Sequence, residues 1–160
     1  MTQAVCCVLI VIIAAADRLL KRLVVASSLA DGSVITLIPG ILQLSYVENT
    51  GAAFGIFTGK TLFLSVLSLL IIIGGLVLII SGKIKSKLLR AAAVMLIGGG
   101  IGNLIDRFAK GYVVDYIEVL FVDFPVFNLA DCFVTVGEFI LVGWLLYGTL
   151  KDFMGKKNEG

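Results

Sequence analysis

The sequence contains no histidine. That removes the side chain that most often works as a general base near neutral pH, and with it Ser-His and Cys-His nucleophile pairs and His-ligated metal centres. Charge is scarce too: 15% of the 160 residues are Asp, Glu, Lys or Arg, and a net charge of +2 is too small and too scattered for a nucleic-acid surface. The three cysteines, Cys6, Cys7 and Cys132, are odd in number, and two of them are neighbours, so they imply no disulfide framework. Only five residues precede Cys6. A cleaved leader needs a basic start and roughly 7–15 apolar residues before its processing site, so Cys6 and Cys7 read as small apolar helix residues.

What the chain has instead is apolar surface. Hydrophobic residues make up 59% of it and mean hydropathy is +1.10, values that belong to an integral membrane protein. A bilayer core of ~30 Å takes about 20 helical residues. Four runs meet that length, at about 4–25, 61–80, 88–106 and 132–150. The fold expected over 1–160 is therefore one all-α membrane domain of four transmembrane helices. The intervening segments, about 26–60 and 107–131, fall on one membrane side because two spans separate them. In the first, Ser33–Ile38 and Ile41–Val47 flank Pro39-Gly40 and predict a small β-hairpin. In the second, Tyr112 to Phe127 looks extended. Open strand edges cannot face lipid, so the two segments should cover each other or the site. Lys83, Lys85, Lys87 and Arg90 gather between runs two and three, with Lys151, Lys156 and Lys157 after run four. Arg18, Lys21, Arg22, Lys60, Arg107 and Lys110 stand against these seven, so the positive-inside rule puts both termini in the cytoplasm and the hairpin outside only when the first three are counted as membrane-embedded.

The polar residues concentrate between Gly98 and Asp131. A carboxylate at the centre of a membrane helix costs about 2.5–3.5 kcal/mol on insertion scales, so acids near the boundary suggest use. Asp17 precedes Lys21 by four residues, and Asp106 adjoins Arg107, which itself follows Asn103 by four. A carboxylate beside a cation is stabilised in its charged form, which suits a tether better than a general acid. Asp115, in Val113–Tyr116, and Asp131, at the mouth of the fourth helix, have no cation within four residues. At ~5 Å and an effective dielectric of ~20, two such carboxylates repel by about 3 kcal/mol, roughly two pKa units. One then keeps a proton while the other can accept one, the aspartic-protease arrangement. Spacing alone leaves a packing role open for either acid.

Glu138 follows Asp131 by seven residues, two turns along the same face, and so is expected to face the bundle interior. That leaves a second possibility, a small cation or proton transporter lined by Asp131, Glu138 and Asp17; a non-catalytic scaffold is a third. Gly98 and Gly102, with Gly99 and Gly100 between them, make a small-residue surface on which helices can approach closely.

Five motifs, DRLLK (Asp17–Lys21), NTGAAF (Asn49–Phe54), GGGIGNLIDR (Gly98–Arg107), VVDY (Val113–Tyr116) and FNLAD (Phe127–Asp131), resemble in order and spacing those of the bacterial lipoprotein signal peptidase (signal peptidase II) family. The resemblance implies an aspartyl endopeptidase near the outer face of the inner membrane, both termini cytoplasmic, working without metal or organic cofactor. Its substrates would be diacylglyceryl-modified prolipoproteins, cut just before the lipidated cysteine, with membrane lipid as the other partner, no nucleic acid, and a monomeric chain. Carried over by position, Asp115 and Asp131 are the catalytic pair. Asp17, Lys21, Asn49, Gly99, Asn103, Asp106, Arg107 and Asn128 support it or contact substrate, and the hairpin, with the segment from Gly51 to Phe54, is read as a clamp on the extended signal peptide by strand addition. Two departures stand out. Arg18 occupies a position where the family usually has Gln, which puts the role of Asp17 in doubt, and Gly100 stands where alanine is common.

Overall fold

The structure, a computed structural model, describes residues 1–51 and 56–158. Four helices carry it: α1 Gln3–Val25, α2 Thr61–Ile80, α3 Lys87–Lys110 and α4 Leu129–Asn158. Each contains a window long and apolar enough to cross a membrane. Most of their large apolar side chains are exposed, including Leu62, Phe139 and Leu146. So much apolar surface is unsuited to water and fits a lipid surround.

Helix ends follow from local chemistry. The Thr2 hydroxyl caps α1 by accepting from the Val5 amide, and the Ser86 hydroxyl caps α3 by accepting from Leu89. Gly111, at φ +84°, closes α3 in the left-handed conformation that glycine adopts without strain. The third helix thus runs past 106, where hydropathy alone would end it, and Asp106 and Arg107 lie inside it. The fourth starts at Leu129, three residues ahead of the predicted boundary, and continues past 150.

The helix α3 is central and packs against the other three. Close approach needs its glycines. A Cβ on Gly99 would lie 2.5 Å from the Ala130 carbonyl oxygen of α4, and one on Gly102 would lie 2.5 Å from Oδ2 of Asp17 on α1. The apolar core between α1, α2 and α3 is built on Ile10, Ile13, Ile72, Val94 and Ile97.

The predicted hairpin is present as β1 Ile35–Ile38 and β2 Leu42–Asn49, and a third strand, β3 Val113–Val119, completes an antiparallel sheet of order β1-β2-β3. The extended segment between the third and fourth helices therefore covers the hairpin by pairing with it, Asn49 opposite Val113 and Val47 opposite Asp115. The first four residues of β3 are buried on both faces. Val114 and Tyr116 pack with Val24 and Leu29, the latter from a short 3-10 helix, Ser28–Asp31, that follows α1. The chain after β3 then folds back. Phe127 exchanges backbone hydrogen bonds with Ile117 at 2.8 and 3.0 Å, and that return delivers α4 beside β3.

Candidate functional site

The residues 128–131 form a reciprocal cap. The Asp131 amide donates to Oδ1 of Asn128 at 3.0 Å, and the Asn128 amide donates to Oδ2 of Asp131 at 3.1 Å. This is the capping-box pattern with Asn and Asp in place of the commoner pair. It fixes the Asp131 carboxylate in the first turn of α4, where the helix dipole favours negative charge. The Asn-x-x-Asp spacing was the signal for a helix start at Leu129.

Asp115 arrives from β3, held in place by strand pairing, and is 1% exposed. Its Oδ1 accepts from Nδ2 of Asn128 at 2.6 Å and its Oδ2 from Nδ2 of Asn49 at 2.9 Å. Oδ1 of Asp131 accepts from Nδ2 of Asn103 at 2.7 Å. Each of the four carboxylate oxygens thus has a donor, supplied from β2, α3 or the start of α4. Asn103 and Asn128 are themselves joined at 3.1 Å, so the two carboxylates share one amide network. Burial pushes the Asp115 carboxyl up to about 6, and the negative charge of Asp131 adds to the rise. Hydrogen bonds from Asn49 and Asn128 and the charge of Lys21 act against it.

A second cluster lies behind the first. Lys21, 1% exposed, donates to Oδ1 of Asn103 at 2.8 Å and pairs with Asp17 at 2.9 Å and Asp106 at 3.3 Å. Asp17 also accepts from the Ala130 amide at 3.0 Å, tying α1 to the start of α4. Asp106 takes Arg18 at 2.7 Å and Lys110 at 3.6 Å, and accepts from the Val114 amide at 3.2 Å. The unusual Arg18 therefore turns away from Asp17 and pairs with Asp106. Asp17 keeps Lys21 and Ala130, and both acids are tethers.

Asp115 and Asp131 face one cavity of about 720 Å³ bounded by α2, α3, α4 and the segment 124–127. Asn49, Asn103 and Arg107 line it beside them, and Glu138 lines it farther along α4. Asp17 is not among its lining residues, so a conduction path through Asp131, Glu138 and Asp17 lacks its third member. Arg107 lies within electrostatic reach of Asp131, Asp115 and Asp106, and donates to the Gly51 carbonyl at 3.1 Å. The Gly51 amide in turn donates to Oδ1 of Asn49 at 2.8 Å. Cations thus come close through space where none is near in sequence. Gly99 serves packing against α4 and does not line the cavity, and Phe54 lies outside the described residues. Sequence reasoning overlooked the cavity's other polar wall residues, Ser68 and Thr135, because single hydroxyls in apolar runs carry no signal of their own.

The family model described as signal peptidase (SPase) II matches residues 9–147. The lipoprotein signal peptidase of Streptococcus thermophilus (strain CNRZ 1066) is 40% identical over 126 residues, 79% of this chain and 82% of the relative. That of Lactobacillus johnsonii (strain CNCM I-12250 / La1 / NCC 533) is 33% identical over 150 residues, 94% of this chain and 97% of the relative. Among solved structures, a bacterial membrane enzyme determined by the in meso method at 2.3 Å superposes with a TM-score of 0.83 at 30% identity, covering 91% of this chain and 90% of that one. With the family model matching residues 9–147 and relatives matched over most of their length, the chain belongs to the signal peptidase II family.

Proposed function

We propose that this chain is an aspartyl endopeptidase of the bacterial inner membrane that removes the signal peptide from diacylglyceryl-modified prolipoproteins, cutting just before the lipidated cysteine. Family membership supports the substrate class. The single observation that carries the mechanism is the pairing of Asp115 and Asp131 on one cavity, with a donor on each carboxylate oxygen. Asp115, buried and raised to about 6, is the member that more readily takes up the proton the pair shares once substrate closes the cavity. Asp131, at a helix N-terminus, is the base.

In the first step Asp131 takes a proton from water, whose oxygen bonds to the scissile carbonyl carbon, while Asp115 gives its proton to the carbonyl oxygen. In the second, Asp131 passes its proton to the cysteine nitrogen and the C–N bond breaks. Asp115 recovers the hydroxyl proton as the carbonyl re-forms, so the pair returns with one proton. Closing the cavity on a substrate removes water and favours the protonated form of Asp115 further. Arg107, Asn103 and Asn128 position the peptide and the pair. The Arg107 bond to the Gly51 carbonyl supports the reading of the segment after β2 as the clamp.

The basic residues Lys83 and Lys85 of the connecting loop and Lys87 at the start of α3 follow the end of α2 remote from the sheet. This supports cytoplasmic termini, with the sheet and the Asp pair near the outer face. Incubating the purified protein with a diacylglyceryl-modified lipobox peptide and its unmodified twin, read by mass spectrometry, tests the assignment. Cleavage before the modified cysteine alone is expected. Equal cleavage of both peptides, or of neither, would overturn it.

A further inference from the structure

The cavity does not end at the Asp pair. It extends along α4 to Glu138 and along α3 to Leu96, each seven residues from its polar partner Asp131 or Asn103. That is about 10 Å at 1.5 Å per helical residue. The walls there are mainly apolar, with Ile71, Ile72 and Leu96, yet they hold Ser68 from α2 and Thr135 and Glu138 from α4.

Hydroxyls in apolar helices usually bond back to the carbonyl one turn earlier. Ser65 does so with Thr61 at 2.8 Å, and Thr149 with Leu145 at 3.0 Å. Ser68 and Thr135 make no such bond, and among the described residues Glu138 makes neither a hydrogen bond nor an ion pair. Three polar side chains without protein partners therefore line one mainly apolar wall, continuous with the site. Ser68 is half-buried and Thr135 and Glu138 are exposed, so their polar atoms are open to whatever enters the cavity, and an ionisable group within an apolar span is costly unless something meets it.

Resting on the peptidase reading above, we propose that Ser68, Thr135 and Glu138 form a polar subsite for the main chain of the signal segment where it unwinds before the scissile bond. A peptide bond offered to two carboxylates must be extended, whereas a signal segment in lipid is helical. Where the helix stops, its last carbonyls lose their partners, and hydrocarbon supplies none. The Ser68 and Thr135 hydroxyls donate to such carbonyls, and the Glu138 carboxyl accepts from an exposed amide. A reach of about 10 Å corresponds to roughly three extended residues at ~3.3 Å each, so the subsite meets the chain about three residues before the cut. Because it reads main chain, the subsite tolerates varied side chains there.

The test compares two diacylglyceryl-modified peptides, one with its whole signal segment and one beginning a single residue before the modified cysteine, too short to reach the subsite. The readout is the ratio of kcat/KM for long over short substrate, which does not depend on the fraction of enzyme folded. Ser68→Ala with Thr135→Val should lower that ratio about tenfold, as should Glu138→Leu, the scale of one or two neutral hydrogen bonds. Glu138→Gln, which keeps an acceptor oxygen, should recover most of the Glu138→Leu loss. A ratio unchanged in the double variant and in Glu138→Leu overturns the subsite. Binding of a long peptide N-methylated at the scissile amide, read by fluorescence anisotropy, separates this from the parent reading. If the wild type binds it about tenfold more tightly than the double variant but does not cleave the unmethylated long peptide, the subsite stands and the peptidase reading falls. If the wild type cleaves but binds no better than the variant, the subsite alone falls.

Discussion

Asn128 donates to Asp115 at 2.6 Å through the same Nδ2 that reaches Asn103 at 3.1 Å, while its backbone amide and Oδ1 hold Asp131 in a cap. One side chain thus sets the start of α4 and the spacing of the two acids. Asn128→Ala should cost about 1–2 kcal/mol of stability for the cap and lower kcat/KM at least tenfold. A thermal melt alongside kinetics on folded protein checks this. Full activity in the folded variant would show that the amide network does not set the geometry.

The Asp115 carboxyl titrates at about 6, mainly because of burial and secondarily because of the Asp131 charge. Replacing that charge by Asp131→Asn should lower the Asp115 midpoint, yet leave it above the ordinary value of about 3.9 because the burial remains. Carboxyl carbon NMR of the labelled protein reads it directly. The sign for stability follows. A carboxyl with a raised folded-state pKa stabilises the fold most while protonated, below about pH 4, and that contribution is lost as pH rises through 6. Wild type should therefore lose more stability than Asp131→Asn between pH 4 and 7.

Lys21 and Arg18 both serve Asp106, but from different surroundings. Lys21 is 1% exposed and also holds Asp17 and Asn103, whereas the Arg18 side chain is 27% exposed. Lys21→Met leaves two buried acids short of a cation and should cost about 3–5 kcal/mol. Arg18→Gln leaves Asp106 its bonds to Lys21 and Lys110 and should cost under about 1 kcal/mol. Thermal unfolding of the two variants in one detergent settles the order.

The glycines of α3 make a matched series. A Cβ at Gly99 or Gly102 would meet Ala130 or Asp17 at 2.5 Å, while one at Gly100 would meet only the Ile72 side chain, at 3.4 Å. Gly99→Ala and Gly102→Ala should each destabilise by about 1–3 kcal/mol, and Gly100→Ala by less than about 0.5 kcal/mol. A similar loss at all three would mean the helices are not this close.

The four apolar runs and the hairpin were legible because periodicity and turn residues are local signals. Helix ends were less so. Arg107 to Lys110 looked like loop because hydropathy falls there, yet the buried ion pairs of Asp106 and the stop at Gly111 carry α3 to Lys110. Asp131 looked as if it preceded a helix because the cap at Asn128 went unread. The sorting of the acids by neighbouring cations placed Lys21 beside Asp17, an i+4 partner in sequence as in space, whereas Asp106 pairs with Arg18, Lys21 and Lys110 and not with its sequence neighbour Arg107. It could not foresee Arg107 beside the Asp pair, or Arg18 reaching across to Asp106. Both contacts join residues whose proximity is set by helix packing and strand pairing.

The proposed mechanism places the chemistry on two side chains, so their single replacement is the most direct measurement. Asp115→Asn and Asp131→Asn, each purified folded with a melt within a few degrees of wild type, are mixed in excess with the diacylglyceryl-modified lipobox peptide under single-turnover conditions. Cleavage should fall at least a thousandfold in each, well beyond the loss expected from a lost hydrogen bond. Turnover within tenfold of wild type in either folded variant would contradict the paired-carboxylate mechanism.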